Sequence, residues 1–230
     1  EQMGVEFLEE DGLLSARAKN LHGAQITLKF PSVGATENIL LAAVKATGDT
    51  VITGAAREPE VIALCEFLTA CGASIEGMGS PELIIHGGGD LHGTRYTVPT
   101  DRIVAGTYLF GCIGCGGSVL LNQAPWSQME AVTVAAERMG AQCTVSEEGL
   151  FVQAPLRPKS IGHLQTRPYP EFPTDLQSAA MAVLTMAEGI SYIEENIFEN
   201  RFRIAEPLNL MGVLICINYV LVPQIHMFHL

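Results

Sequence analysis

Three charged residues stand where chemistry could be done. Asp175, in Phe172-Pro173-Thr174-Asp175, falls on the first turn of a predicted helix. A carboxylate there either complements the positive end of the helix dipole or serves as a base or hydroxyl acceptor held at a helix mouth. Arg102 follows Asp101 at the matching position of an earlier helix, and Arg201 sits in Phe198-Glu199-Asn200-Arg201-Phe202. A guanidinium can grip carboxylate or phosphate through two parallel bonds, although each Arg read singly also fits a solvated surface. Three Pro-Ser or Pro-Thr pairs, Pro31-Ser32, Pro99-Thr100 and Pro173-Thr174, precede predicted helices. A Ser or Thr oxygen there can accept the orphan N–H groups of the first turn. The same N–H groups can hold an anion. Either a simple cap or an anion site satisfies the pattern.

Other residue types offer less. Cys112-x-x-Cys115 is one isolated pair inside an apolar run, and a zinc site needs a second ligand pair that the sequence does not supply. The six His are scattered without HxxxH or HxH spacing. No metal and no cofactor are expected. The six Cys lie in apolar stretches and read as reduced, buried thiols of a cytosolic protein.

The elements that must position these residues form a repeat. A Gly after a helix-like run recurs at Gly4, Gly72, Gly140 and Gly212, with steps of 68, 68 and 72 residues. A second Gly series, Gly48, Gly117 and Gly189, stands 23 or 24 residues before the next marker of the first. Each unit opens with Pro-Ser or Pro-Thr and a largely apolar helix, predicted over 34–45, 103–115 and 175–188. A β-branched strand follows, over 50–53, 118–122 and 191–194. A second, amphipathic helix is predicted over 60–71, 128–139 and, more weakly, 202–211. A hairpin closes the unit, as at 142–145 and 150–153 around Glu147-Glu148-Gly149. The first 23 residues match only the end of a unit, so the chain opens within a repeat. Helices repeated against sheets make this an α/β (α+β) chain. Residues 1–99 are expected to belong to one lobe and 100–212 to a second. The apolar segment 213–230 departs from the repeat, and reads either as a frameshifted end or as a buried strand.

Composition narrows the function. The 230 residues are 48% hydrophobic and 17% charged, enough apolar material for a sizeable core. A net charge of −12 disfavours general binding of nucleic acid or of an anionic membrane, which need clustered Lys and Arg. A phosphate ligand would have to be held by a few Arg and by helix ends. The N-terminus shows no signal-peptide pattern, and the longest apolar run, 213–222, is about half of what a membrane span needs.

Five ordered motifs then carry a resemblance. Pro31-Ser32-Val33-Gly34-Ala35-Thr36-Glu37-Asn38, Ala56-Arg57-Glu58-Pro59-Glu60, Asp101-Arg102-Ile103, Phe172-Pro173-Thr174-Asp175-Leu176-Gln177 and Phe198-Glu199-Asn200-Arg201-Phe202 resemble, in order and spacing, the UDP-N-acetylglucosamine 1-carboxyvinyltransferase family over residues 1–212. The sister family making enolpyruvylshikimate phosphate shares the repeat plan but not these motifs. The resemblance implies an inverse α/β barrel-like fold of two lobes, each of three βαβαββ units, with substrates in the cleft between them. It implies a cytoplasmic enzyme of peptidoglycan synthesis with two small-molecule substrates, UDP-N-acetylglucosamine and phosphoenolpyruvate. The sugar 3-hydroxyl would add to the enol carbon, and phosphate would then leave. Carried over, Ser32, Val33 and Gly34, with Phe30 and Pro31 adjacent, line the nucleotide site. Asp175 faces the sugar 3-hydroxyl as its general base, Ile197 touches the sugar nucleotide, and Arg102 and Arg201 are cleft or supporting residues.

The departures are as specific. The family's N-terminal Lys-Asn pair, its Gly-Gly-Cys loop with a following Arg-Pro, its late Asp-Leu-Arg and its final cleft Arg do not occur in these residues. Gly111-Cys112-Ile113-Gly114 mimics the cysteine loop but lies within a predicted helix, where a buried thiol is expected. These 230 residues alone are therefore expected to give no turnover. A non-catalytic UDP-sugar-binding module and a 3-phosphoshikimate 1-carboxyvinyltransferase are the competing readings.

Overall fold

A computed structural model describes residues 1–217 and divides them into two compact units. The first comprises Glu1–Arg102, Gln123–Ala131 and Arg167–Pro173. It begins with an antiparallel hairpin, β1 (Val5–Glu10) and β2 (Leu13–Ala18), turning at Asp11-Gly12, where both residues have positive φ. Such a two-residue turn matches the strand twist, and Gly meets its backbone requirement without strain. Phe7, Leu8, Leu13 and Leu14 on this hairpin are exposed.

One whole repeat follows as β3 (Gln25–Thr27), α1 (Val33–Ala43), β4 (Asp49–Thr53), α2 (Pro59–Ala70), β5 (Ser74–Glu76) and β6 (Glu82–His86). The sheet order is β3-β4-β6-β5; β3 and β4 run parallel, and β6 is antiparallel to both its neighbours. This is the expected βαβαββ order. Leu40 and Ala43 of α1, Ile52 of β4, Cys65 and Leu68 of α2, and Leu83 and Ile85 of β6 fill the core. Alternation along β4 and β6 sends every second side chain inward.

The second unit comprises Ile103–Asn122, Val132–Thr166 and residues from Thr174 onward. Its three-stranded antiparallel sheet has the order β7 (Ser118–Asn122), β9 (Gly149–Gln153), β8 (Gln142–Ser146). A parallel pair, β10 (Gly162–Gln165) and β11 (Ser191–Glu194), repeats the β3–β4 relation. The helices are α3 (Arg102–Cys115), α4 (Glu130–Arg138), α5 (Gln177–Leu184) and α6 (Ala205–Leu210). Leu109, Phe110, Ile113, Leu150, Leu176 and Met181 are buried here. Gly106 of α3 packs so closely on Leu176 that an added Cβ would overlap the leucine side chain. No sheet among the described residues closes into a barrel.

Three expectations need correction. Of the three hydroxyls expected as caps, that of Ser32 accepts from the Ala35 N–H at 3.3 Å. The Thr100 hydroxyl instead donates to the Gln123 carbonyl at 2.9 Å, and that of Thr174 to Glu195 at 2.9 Å. Tertiary acceptors have captured both hydroxyls. The second correction concerns the helix starts at 126–130, 174–177 and 201–205, which are tighter 3-10 turns leading into α4, α5 and α6. The third is that the thiols are not uniformly buried. Cys65 and Cys71 are buried, Cys112 and Cys143 half-buried, and Cys115 and Cys216 exposed. Residues 213–217 form no regular structure, and the rest of the expected apolar tail, 218–230, lies outside the described residues. No described helix is long and apolar enough to cross a membrane.

Candidate functional site

The residues singled out by sequence fall into three settings, one in the second unit and two in the first. In the second unit, the 3-10 turn Thr174–Leu176 presents Asp175 just before α5, and the 3-10 turn Arg201–Ile204 presents Arg201 just before α6. Arg201 Nη2 donates to Asp175 Oδ1 at 2.8 Å. Its guanidinium also lies 5.0 Å from the centre of the Phe198 ring, in cation–π range. Asp175 remains about half exposed, with a side-chain accessibility of 53%. The pair thus offers an oriented carboxylate, reachable from solvent, with its counter-charge already in place.

Ile197 belongs to the same cluster through its backbone. The N–H groups of Ile197 and Phe198 donate to Glu195 Oε1 at 2.9 and 3.1 Å. The same oxygen takes the Thr174 hydroxyl. Glu195 was missed by sequence reasoning: Glu194-Glu195 reads as the end of an exposed strand, and no local spacing links it to Thr174. The neighbouring backbone is fixed by buried Thr166, whose hydroxyl accepts from Asn196 N–H at 3.0 Å and whose carbonyl accepts from the Asn196 side chain at 3.3 Å.

In the first unit, residues 30–34 form the approach and first turn of α1. Phe30, Pro31, Ser32 and Val33 are half-buried, and Gly34 is exposed. A Cβ at Gly34 would meet nothing within 4 Å, so the fold itself does not require glycine there. Thr36 locks the turn: its hydroxyl donates to the Ser32 carbonyl at 2.8 Å and accepts from Ala56 N–H at 3.0 Å.

Arg102 is in a different setting. It is 7% exposed and makes two bonds to Glu60, Nε to Oε2 at 3.4 Å and Nη2 to Oε1 at 3.2 Å. Its guanidinium lies 5.5 Å from the centre of the Tyr169 ring. Tyr169 is in turn held by Glu58, which accepts its N–H at 3.3 Å, and by Arg57, which donates to its carbonyl at 3.4 Å. Burial together with the Glu60 charge raises the Glu37 carboxyl above its ordinary value of 4.5.

Cys65, Cys112 and Cys143 are not activated nucleophiles. Burial raises the Cys112 thiol above its ordinary value, and pushes Cys65 and Cys143 up to about 11. A reactive cysteine needs the opposite shift. Among the described residues no group of three or more His, Cys, Asp or Glu could hold a metal ion. A cavity of about 430 Å³ beside Gly116, Ser118, Gln153 and Leu156 has no charged side chain in its lining and contains none of these residues.

The repeated βαβαββ plan is that of the enolpyruvyl transferases. The enolpyruvyl transferase NikO from Streptomyces tendae superposes with a TM-score of 0.82 at 22% identity, over 94% of this chain and 54% of that one. EPSP synthase from Acinetobacter baumannii gives 0.62 at 23% identity, over 91% and 51%. The family model for EPSP synthase (3-phosphoshikimate 1-carboxyvinyltransferase) matches residues 1–224, and the chain belongs to that family. Among curated relatives, the UDP-N-acetylglucosamine 1-carboxyvinyltransferase of Nitratidesulfovibrio vulgaris (strain DP4) is 43% identical over 212 residues, 92% of this chain and 51% of the relative. That of Zymomonas mobilis is 44% identical over 214 residues, 92% and 50%. The chain spans about half the length of the curated relatives it matches.

Proposed function

We propose that this chain is part of a UDP-N-acetylglucosamine 1-carboxyvinyltransferase. That enzyme moves the enolpyruvyl group of phosphoenolpyruvate to the 3-hydroxyl of UDP-N-acetylglucosamine, releasing phosphate, at the first committed step of peptidoglycan synthesis in the cytoplasm. The observation that carries this reading is the Asp175–Arg201 pair at 2.8 Å. A general base must lie within hydrogen-bond reach of the proton it takes, and its carboxylate must be held in one orientation. Arg201 does the holding, and half of the Asp175 side chain stays open to a hydroxyl. The 3-hydroxyl oxygen bonds to the enol carbon as its proton passes to Asp175, and the C=C π electrons take up a proton at the methylene carbon; in the second stage that carbon gives up a proton, the double bond re-forms and the C–O bond to phosphate breaks. Neither metal nor cofactor is part of this scheme.

The nucleotide falls to residues 30–34 in this scheme. The first turn of α1 has N–H groups without intrahelical partners and a partial positive charge suited to a diphosphate. The open space at Gly34 supports close approach of a ligand to the backbone there. Ile197 contacts the sugar nucleotide. Arg102, bound to Glu60, acts as a support. Residues 1–99 and 100–212 are assigned to the two lobes of the enzyme. The names of the relatives, at 43–44% identity, support the choice of sugar-nucleotide acceptor.

Isothermal titration of the purified chain with UDP-N-acetylglucosamine tests the reading. One-site binding is expected, weakened at least about tenfold, or about 1.4 kcal/mol, by Arg201→Ala or Asp175→Asn. Binding indifferent to both substitutions would overturn it.

A further inference from the structure

We infer that Glu195 is the positioning residue of the sugar-nucleotide site, joining the Asp175 turn to the segment 197–201. The inference rests on the reading of Asp175, Ile197 and Arg201 given above. Glu195 Oε1 accepts three hydrogen bonds, from the Thr174 hydroxyl at 2.9 Å, Ile197 N–H at 2.9 Å and Phe198 N–H at 3.1 Å. Each donor is a residue of the site or its direct neighbour. Thr174 precedes Asp175 in the chain. Phe198 carries the ring against which the Arg201 guanidinium lies. Arg201 in turn binds Asp175. The contacts therefore close on themselves: Glu195 to Thr174, along the chain to Asp175, across to Arg201, over to Phe198, and back to Glu195. Moving any member displaces the carboxylate meant to take the hydroxyl proton.

The second carboxylate oxygen supports the same assignment. Glu195 Oε2 is buried and has no hydrogen-bond partner among the described residues. A buried acceptor left unpaired is unfavourable. Holding two backbone N–H groups and one hydroxyl needs a single acceptor oxygen, which an amide would also supply. A carboxylate acceptor adds its charge to those bonds. Tight orientation is what a proton-accepting pair requires, since small misplacements lower rate and affinity disproportionately. These bonds are directed at the two segments that carry Asp175 and Arg201.

Wild-type chain and the variants Glu195→Ala, Glu195→Gln and Thr174→Val are compared in three ways: titration with UDP-N-acetylglucosamine, thermal melting, and ligand-free amide spectra. Glu195→Ala is expected to weaken binding at least about tenfold while still melting cooperatively. Glu195→Gln, which keeps one acceptor, is expected to restore affinity to within about threefold, and Thr174→Val to fall between the two. In the ligand-free spectrum of Glu195→Ala, the amide signals of Ile197 and Phe198 move, and so does that of Asp175, twenty residues away in sequence. A folded Glu195→Ala that binds like wild type overturns the inference. If Glu195→Ala does not fold, equal affinity of wild type and Thr174→Val overturns it. Should wild type itself not bind, the sugar-nucleotide reading falls, and the ligand-free spectra still decide the positioning role. An unmoved Asp175 amide contradicts it, and a moved one supports it.

Discussion

At the scale of single residues, charge placement separates roles that sequence leaves merged. Arg201 and Arg102 look alike as motif arginines, yet Arg201 pairs with a half-exposed carboxylate while Arg102 is buried against Glu60. Removing Glu60 strands a buried guanidinium, so Glu60→Ala should lower unfolding free energy by about 1–3 kcal/mol. Sugar-nucleotide affinity should stay within about threefold of wild type, a difference of less than about 1 kcal/mol. Denaturant melts and titration check the two halves separately. Glu37 makes a pH prediction. Burial, and then the neighbouring Glu60, raises its carboxyl above 4.5, so the folded chain ionises it less readily than the unfolded chain. Its contribution to stability is complete below that ordinary value and is lost as pH rises through the raised one. Glu37→Gln should therefore stabilise the chain at neutral pH and change little in acid, as read from unfolding midpoints across that range. His86 behaves in the same direction: bonds to Asp49 and then Glu76 raise it above 6.5, so that contribution fades at higher pH. Asp175 and Arg201 were legible as motif residues; their pairing, between residues 26 apart in sequence, was not.

At the scale of elements, regular patterns were read well and captured hydroxyls were not. The strands Ser118–Asn122 and Ser191–Glu194 fall where the sequence put them. A Gly just before each, Gly117 and Gly189, marks where the apolar strand residues begin. Helix starts were read less well, because a 3-10 turn and an α-turn show the same apolar spacing over three residues. Pro-Thr predicted caps at Thr100 and Thr174, and both hydroxyls donate to tertiary acceptors that the spacing does not reveal. Glu195 was invisible for the same reason, since one of its three donors comes from 21 residues away. Ser32 did cap α1, and Ser32→Ala should lower stability by about 1 kcal/mol. The contact of α3 with the Asp175 turn is a sharper case. Gly106→Ala would push a methyl group into buried Leu176, next to Asp175. A loss of about 1–3 kcal/mol is expected from such overpacking. Thermal melting measures it, and Gly106→Ser should be at least as severe.

At the scale of the whole molecule, the repeat made the fold readable. One unit, β3 to β6, has its complete βαβαββ order, and the β10–β11 pair repeats its parallel opening. The β1–β2 hairpin lies in the half repeat where uncovered apolar faces are expected from the sequence, and it exposes Phe7, Leu8, Leu13 and Leu14. The Gly-Gly-Cys loop and late Asp-Leu-Arg of the resembled family do not occur in these 230 residues. Purified chain with both substrates is accordingly expected to release no phosphate above a control without protein. The Asp175 cluster needs neither motif to be formed, so binding and turnover should separate. The most direct test is an amide spectrum of the labelled 230-residue chain titrated with UDP-N-acetylglucosamine. Saturable shifts are expected at Asp175, Ile197 and Arg201, and Asp175→Asn should reduce them. Shifts confined to other residues, or none at saturating ligand, would contradict the assignment of this site.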